Sequence, residues 1–460
     1  MKSKILWVGF VAVLAGLGLL AWSHSVGAQA PEMPKFKVDA TWPKTLPNKW
    51  KMGGVTGLAV DKDDNVWVYD RPNDLTSLEL EAERNPPISD CCTRPPSMIH
   101  IAGHDGPGYK DGDVIGYFDA PQGHGMAVDK QGFAYLGQND VRKYDPKTGK
   151  MLMEVPHVPV TANGSPFTMA EIPKRVPGLG NSEGPVVGFI TTEDAAARAE
   201  AGIAEPAGGR GGRGGGGGAA AGADGAAAGG GGGRGGRGAA AGGPFQPSDF
   251  QKKYPPTTPM IVGGIEEIRT DDAANEIYIA DNAFGGRVMV FSLDKFEFKR
   301  GWGAYGHKLN EISMDPKDHA YKPNGPMAKE MVGHLTFNFS NDGLVYAADR
   351  MGNRIHVTDK QGNFKQEIKM AEYTGVGGST GGVMFSNDKD QKLLYISDLT
   401  NNHVWFLERK TGKVLGTIGS MGQNAGQFFG IHMEATDSKG NLYTGEVFYG
   451  ERVQRFLLQK

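Results

Sequence analysis

The sequence predicts an all-β chain folded as a six-bladed β-propeller of short antiparallel strands. Three observations carry that expectation. A strand, a polar turn and a second strand ending in an acid or amide are written six times. The last three units step evenly. A strand near the N-terminus has no unit of its own.

The second strands of the six units are residues 66–70, 134–138, 277–281, 345–349, 394–398 and 442–446. Each is rich in β-branched and aromatic residues, and most are followed closely by a third, as at 287–291, 354–357 and 452–456. Gly, Asn and Asp turns join them, with no helical crossover between. Tyr346, Tyr395 and Tyr443 stand 49 and 48 residues apart, which suits one four-stranded blade and its loop. The last unit has room for about three strands before Lys460. Pairing it with the strand at 35–39 closes the ring and removes an open edge.

The segments predict this order: an export signal at 1–28, two blades in 35–159, an insertion at 160–258, and four blades in 259–460. The signal is read from Lys2 and Lys4, the apolar run from Ile5 to Trp22 and the small residues before Ala28, with cleavage expected after Ala28. The run is long for a signal, so the alternative is an uncleaved N-terminal anchor; no other stretch is apolar enough to span a membrane. Export implies a periplasmic or extracellular protein. The insertion's centre, 208–243, is almost wholly Gly and Ala with Arg210, Arg213, Arg234 and Arg237, and buries too little to fold. Arg-Gly-Gly segments can bind RNA. In an exported chain of net charge −3 with no basic stripe in its folded part, solvated filler is preferred and nucleic acid is not an expected partner.

Cys91 and Cys92 are the only cysteines and are adjacent. A vicinal disulfide that stiffens a loop is preferred to a thiol metal site, because no Cys or His stands near at finger-like spacing.

His124 lies eight residues before the turn glycine Gly132, His432 eight before Gly440, and His334 nine before Gly343. These are equivalent places at the start of the first strands of alternate blades, so the three imidazoles should meet at one mouth of the channel. The other blades carry Thr56, Ile265 or Glu266, and Thr380 there. Three imidazoles converging on one point can hold a divalent metal with positions left open. Zinc is the expected ion, ahead of manganese or iron. Arg71 and Arg350 each follow an acid closing a second strand, which puts them on the histidine side, where a guanidinium can clamp a carboxylate. Surface pairs with Asp70 and Asp349 are the structural alternative.

Gly125-Met126-Ala127-Val128-Asp129 with Gly132, and residues 345–350 with Asn353-Arg354-Ile355, resemble NHL repeats over nearly all of the chain outside the signal and insertion. NHL repeats imply a six-bladed propeller. The set His124, His334 and His432 with Arg71 and Arg350 further resembles peptidyl-α-hydroxyglycine α-amidating lyase. That resemblance implies zinc on the three histidines, with the arginines acting on a peptide ending in α-hydroxyglycine to release the amide and glyoxylate. Two departures stand out. Ala283 occupies the place of the family's catalytic tyrosine, and Met433 replaces the aspartate beside the last histidine that helps hold calcium. Calcium is therefore not expected, and the proton must be handled by water, by Glu446 or by another group.

The function expected is an exported zinc-dependent, lyase-like enzyme, acting as a monomer on a small molecule or peptide bearing a carboxylate. The alternative is a non-catalytic NHL platform for protein or ligand. A calcium-dependent lactonase or esterase would need acids and amides around the channel in place of histidines.

Overall fold

In the computed structural model the strands form six four-stranded antiparallel sheets, as the repeat predicts. The structure describes residues 31–137, 140–158, 246–375, 377–447 and 449–460. The signal at 1–28, Gln138 and residues 160–245 of the insertion lie outside them.

The inner strands of blades one to six are Gly54–Val60, Met126–Val128, Ile265–Asp271, Leu335–Phe339, Val383–Phe385 and Ile431–Thr436. The second strands, including Val66–Arg71, Glu276–Asp281 and Leu344–Asp349, run back antiparallel and end where the inner strands begin. The sixth blade borrows its outer strand, Lys35–Asp39, which pairs with Arg452–Gln459 from Lys35 opposite Gln459 to Asp39 opposite Arg455. Arg455 fastens the closure by ion pairs to Asp39 at 2.6 Å and Asp111 at 2.7 Å.

The second strands are buried on both faces, which explains their unbroken apolar runs. Alternate side chains of a strand point to opposite sides. Ile277 and Ile279 therefore pack toward the second blade with Tyr135, while Tyr278 and Ala280 pack toward the fourth with Phe337. The core is thus a series of walls between neighbouring blades.

In the third, fourth and sixth blades the acid that ends the second strand is part of this frame. Asp281 accepts the backbone N–H groups of Val262, Gly263 and Ala283, and pairs with Arg287 at 2.7 Å. Asp349 does the same for Val332, Gly333 and Arg354, and Glu446 for Phe429 and Arg452. An arginine heading the third strand satisfies the acid ending the second, and both hold the loop that leads into the inner strand.

Part of the stretch read as insertion packs on the propeller. Residues 246–258 include the helix Asp249–Lys253, closed by a capping box from Ser248 and Gln251. Phe250 and Tyr254 cover Val158, Val262 and Ala283, and the carbonyls of Pro256 and Thr258 accept from Arg287. Cys91 and Cys92 are joined as a disulfide in the long loop of the first blade.

Candidate metal centre

Five of the six blades are irregular where the inner strand begins. Ladder register breaks around Thr56 in the first blade, Glu266 in the third and His432 in the sixth, each the extra residue of a bulge. In the second blade Gly125 takes φ +78°, and in the fourth His334 itself takes φ +56°. Bulges and left-handed residues turn a side chain out of the alternating pattern. They aim His124, His334 and His432 into a common space.

The three histidines present ligand nitrogens that lie within 4.8 Å of one another. His124 Nε2 and His432 Nε2 are 3.3 Å apart. Their other contacts fix where the protons sit. His124 Nδ1 lies 2.8 Å from the carbonyl oxygen of Glu266, which can only accept, so Nδ1 carries the hydrogen. His432 Nε2 lies 3.1 Å from Arg350 Nη1, which can only donate. Burial lowers His124 to about 4, with the Glu266 carboxylate opposing and His334 and Arg71 adding to it. Burial also carries His432 well below its ordinary value, followed by His124, Arg350, His334 and Arg71. Both rings are therefore neutral near pH 7: the Nε2 lone pair of His124 is bare, and that of His432 accepts from Arg350.

A cation between them would take the bare lone pair of His124 and, in place of the Arg350 hydrogen, that of His432. Two imidazoles on one tetrahedral zinc, each at about 2.05 Å, hold their nitrogens about 3.3 Å apart, so the residues present fit such an ion.

Glu266, singled out in the sequence only as a departure from histidine, stands in this site. Its Oε2 is 2.8 Å from His334 Nδ1 and 3.4 Å from His124 Nε2. Burial pushes its carboxyl up, but His334, His124 and Arg350 outweigh that and hold it at about 2. Asn282 Nδ2 donates to Glu266 Oε1 at 3.2 Å, and Asn282 Oδ1 accepts the His334 backbone N–H at 3.1 Å. The bulge that brings Glu266 here leaves no periodic signal in the sequence.

Arg350 reaches the site through its contact with His432, and its neighbour Asp349 is turned away to Arg354. Arg71 is buried and pairs with Asp74 at 2.7 Å, while Asp70 forms no ion pair among the described residues. The alternative pairs Arg71–Asp70 and Arg350–Asp349 are thus replaced by others. Ala283 sits in the short turn Ala283–Gly285, and Met433 is packed in the apolar wall between the sixth and first blades. Glu446 is fully engaged by Arg452, Gln454 and Phe429, so it serves the frame.

No family model and no curated protein matches the chain. Among solved structures, a Bacteroides thetaiotaomicron VPI-5482 protein of unknown function aligns over 93% of this chain and 73% of its own, at 10% identity and TM-score 0.45. Virginiamycin B lyase from Staphylococcus aureus aligns over 93% of this chain and 90% of its own, at 10% identity and TM-score 0.39. A streptogramin B lyase aligns over 92% and 98%, at 10% identity and TM-score 0.42. At these values the activity has to be argued from the site itself.

Proposed function

We propose that the chain is an exported, metal-dependent, lyase-like enzyme whose divalent cation, zinc first, is held by His124, His334 and His432. The observation that supports this reading best is the convergence of the three histidines, with His124 Nε2 left bare by the proton held at Nδ1 and standing 3.3 Å from His432 Nε2. A divalent ion there supplies Lewis acidity toward an oxygen of substrate or water. Arg350, beside His432, and Arg71, whose charge is felt by both His124 and His432, supply positive charge for a substrate carboxylate. Their burial strengthens that attraction, because little water competes for the guanidinium. A C-terminal α-hydroxyglycine peptide, or a related small substrate that keeps the carboxylate and an amide leaving group on the hydroxyl-bearing carbon, is the substrate suggested by the resemblance. The N-terminal apolar run supports export.

A non-catalytic binding propeller is the second reading, and one observation favours it: Ala283 offers no phenol where the resemblance places a base. Metal analysis of the purified protein, beside a His124→Ala, His334→Ala, His432→Ala variant, tests the site. About one equivalent of metal, lost in the variant, is expected. Absence of metal after zinc is offered refutes the metal-dependent reading. Turnover of hydroxyglycine peptides by the metal-loaded protein then separates enzyme from platform.

A further inference from the structure

We propose that Glu266 is the positioning residue of the histidine site: one residue, through two different oxygens, sets the proton position and orientation of two of the three imidazoles. This rests on the metal-centre reading above and adds to it how the site is assembled.

The argument begins with the bulge. Ile265 pairs with Asp281 and Glu267 with Ala280, so Glu266 has no partner across the ladder. Its carbonyl is therefore available to accept from His124 Nδ1 at 2.8 Å. Its side chain, also freed from the alternation, brings Oε2 to 2.8 Å from His334 Nδ1. The first contact consumes Nδ1 of His124 and leaves its Nε2 for the site; the second sets a carboxylate, which can only accept, against His334 Nδ1 as an ion-pair contact. A metal-ligating imidazole held from behind by a carboxylate or carbonyl is fixed in tautomer and orientation, and its basicity rises.

Two neighbours keep Glu266 in place. Asn282 donates to Oε1 from the same position in the chain where the resemblance expects the catalytic phenol to follow, so this loop supports the carboxylate instead. Gly125, at φ +78°, lets the second blade approach the bulge: a Cβ there would meet the Glu266 carbonyl carbon and oxygen at 3.1 Å. The second, third and fourth blades thus meet at one residue.

The test uses the mature protein free of metal, with 15N-labelled histidine, comparing the ring nitrogens by NMR in the wild type, Glu266→Ala and Glu266→Gln. In the wild type both His124 and His334 are expected as the Nδ1–H tautomer. In Glu266→Ala only His334 should lose that preference, because the acceptor for His124 is main chain and survives the substitution. Glu266→Gln, whose amide oxygen still accepts, should keep most of it. Zinc affinity should fall about 10- to 100-fold in Glu266→Ala, less in Glu266→Gln, and Glu266→Ala should add little when His334→Ala is already present. An unchanged His334 tautomer in Glu266→Ala overturns the proposal. So does an equal change at His124 and His334, which would mean that the bulge itself had collapsed. If the wild type takes up no metal, the proposed function fails, while the tautomers still decide the role of Glu266.

Discussion

Two rings of residues on the same face of the propeller behave oppositely. At the ends of the second strands an acid recurs in every blade but the second, which has Gln138, and Asp281, Asp349 and Glu446 each spend it on an arginine and on backbone N–H groups. At the beginnings of the inner strands the residue changes with the blade, from threonine to histidine to glutamate, and the backbone there is bulged or left-handed. What repeats holds the frame. What breaks the repeat gathers the histidines and Glu266.

The largest effect should come from breaking the frame. Arg287→Ala or Arg354→Ala leaves a fully buried aspartate without its charge partner, and should cost about 3–5 kcal/mol of unfolding free energy, read by denaturant titration. If the comparison is sound, the folded fraction will still bind metal as before. Arg350→Ala should do the reverse. Stability changes little, but binding of a carboxylate substrate or inhibitor should weaken by roughly 10- to 100-fold, corresponding to a charge-assisted hydrogen bond of about 1.5–3 kcal/mol. An unchanged affinity would remove Arg350 from the anion site.

Gly125→Ala lies between the two rings, since it forces a Cβ into a left-handed residue against Glu266. A loss of about 1–2 kcal/mol is expected together with weaker metal binding; a loss of stability alone would separate Gly125 from the site.

The smallest effect concerns Asp70, the first-blade acid that lacks an arginine. It is buried beside Asp74 and Glu451, and burial first, then those two charges, raise its pKa well above the ordinary carboxylate value. Because the folded state holds this proton more tightly than the unfolded state, its stabilising contribution is present at low pH and is lost as pH rises through the raised value. Asp70→Asn should therefore raise the melting temperature above neutral pH, with the gain shrinking as pH falls, whereas Asp281→Asn should lower it at neutral pH. Equal responses would show that the arginine is not what distinguishes the two acids.

Much of the frame was legible because it rests on local patterning. Alternating burial, turn glycines such as Gly132, Gly343 and Gly440, all at positive φ, and arginines heading third strands leave marks at fixed offsets. The equivalence of His124, His334 and His432 was legible for the same reason, since each is counted from a turn glycine. Glu266 was not, because a bulge adds one residue to one strand and shifts the phase on which counting depends. The packing of 246–258 against the third blade was hidden too, since its few apolar residues, Phe250 and Tyr254, have no period to report.

The sequence by itself determined the number of blades, the strand that closes the ring, and which blades carry histidine, because each is a matter of what recurs along the chain. The tertiary structure alone decided that Glu266 joins the site, that Arg71 answers to Asp74 and Arg350 to His432, and on which nitrogen the His124 proton sits. Apart from the local Arg71–Asp74 pair, those depend on hydrogen bonds and charges across blades, where residues far apart in sequence meet within about 3 Å and the direction of a lone pair settles the outcome.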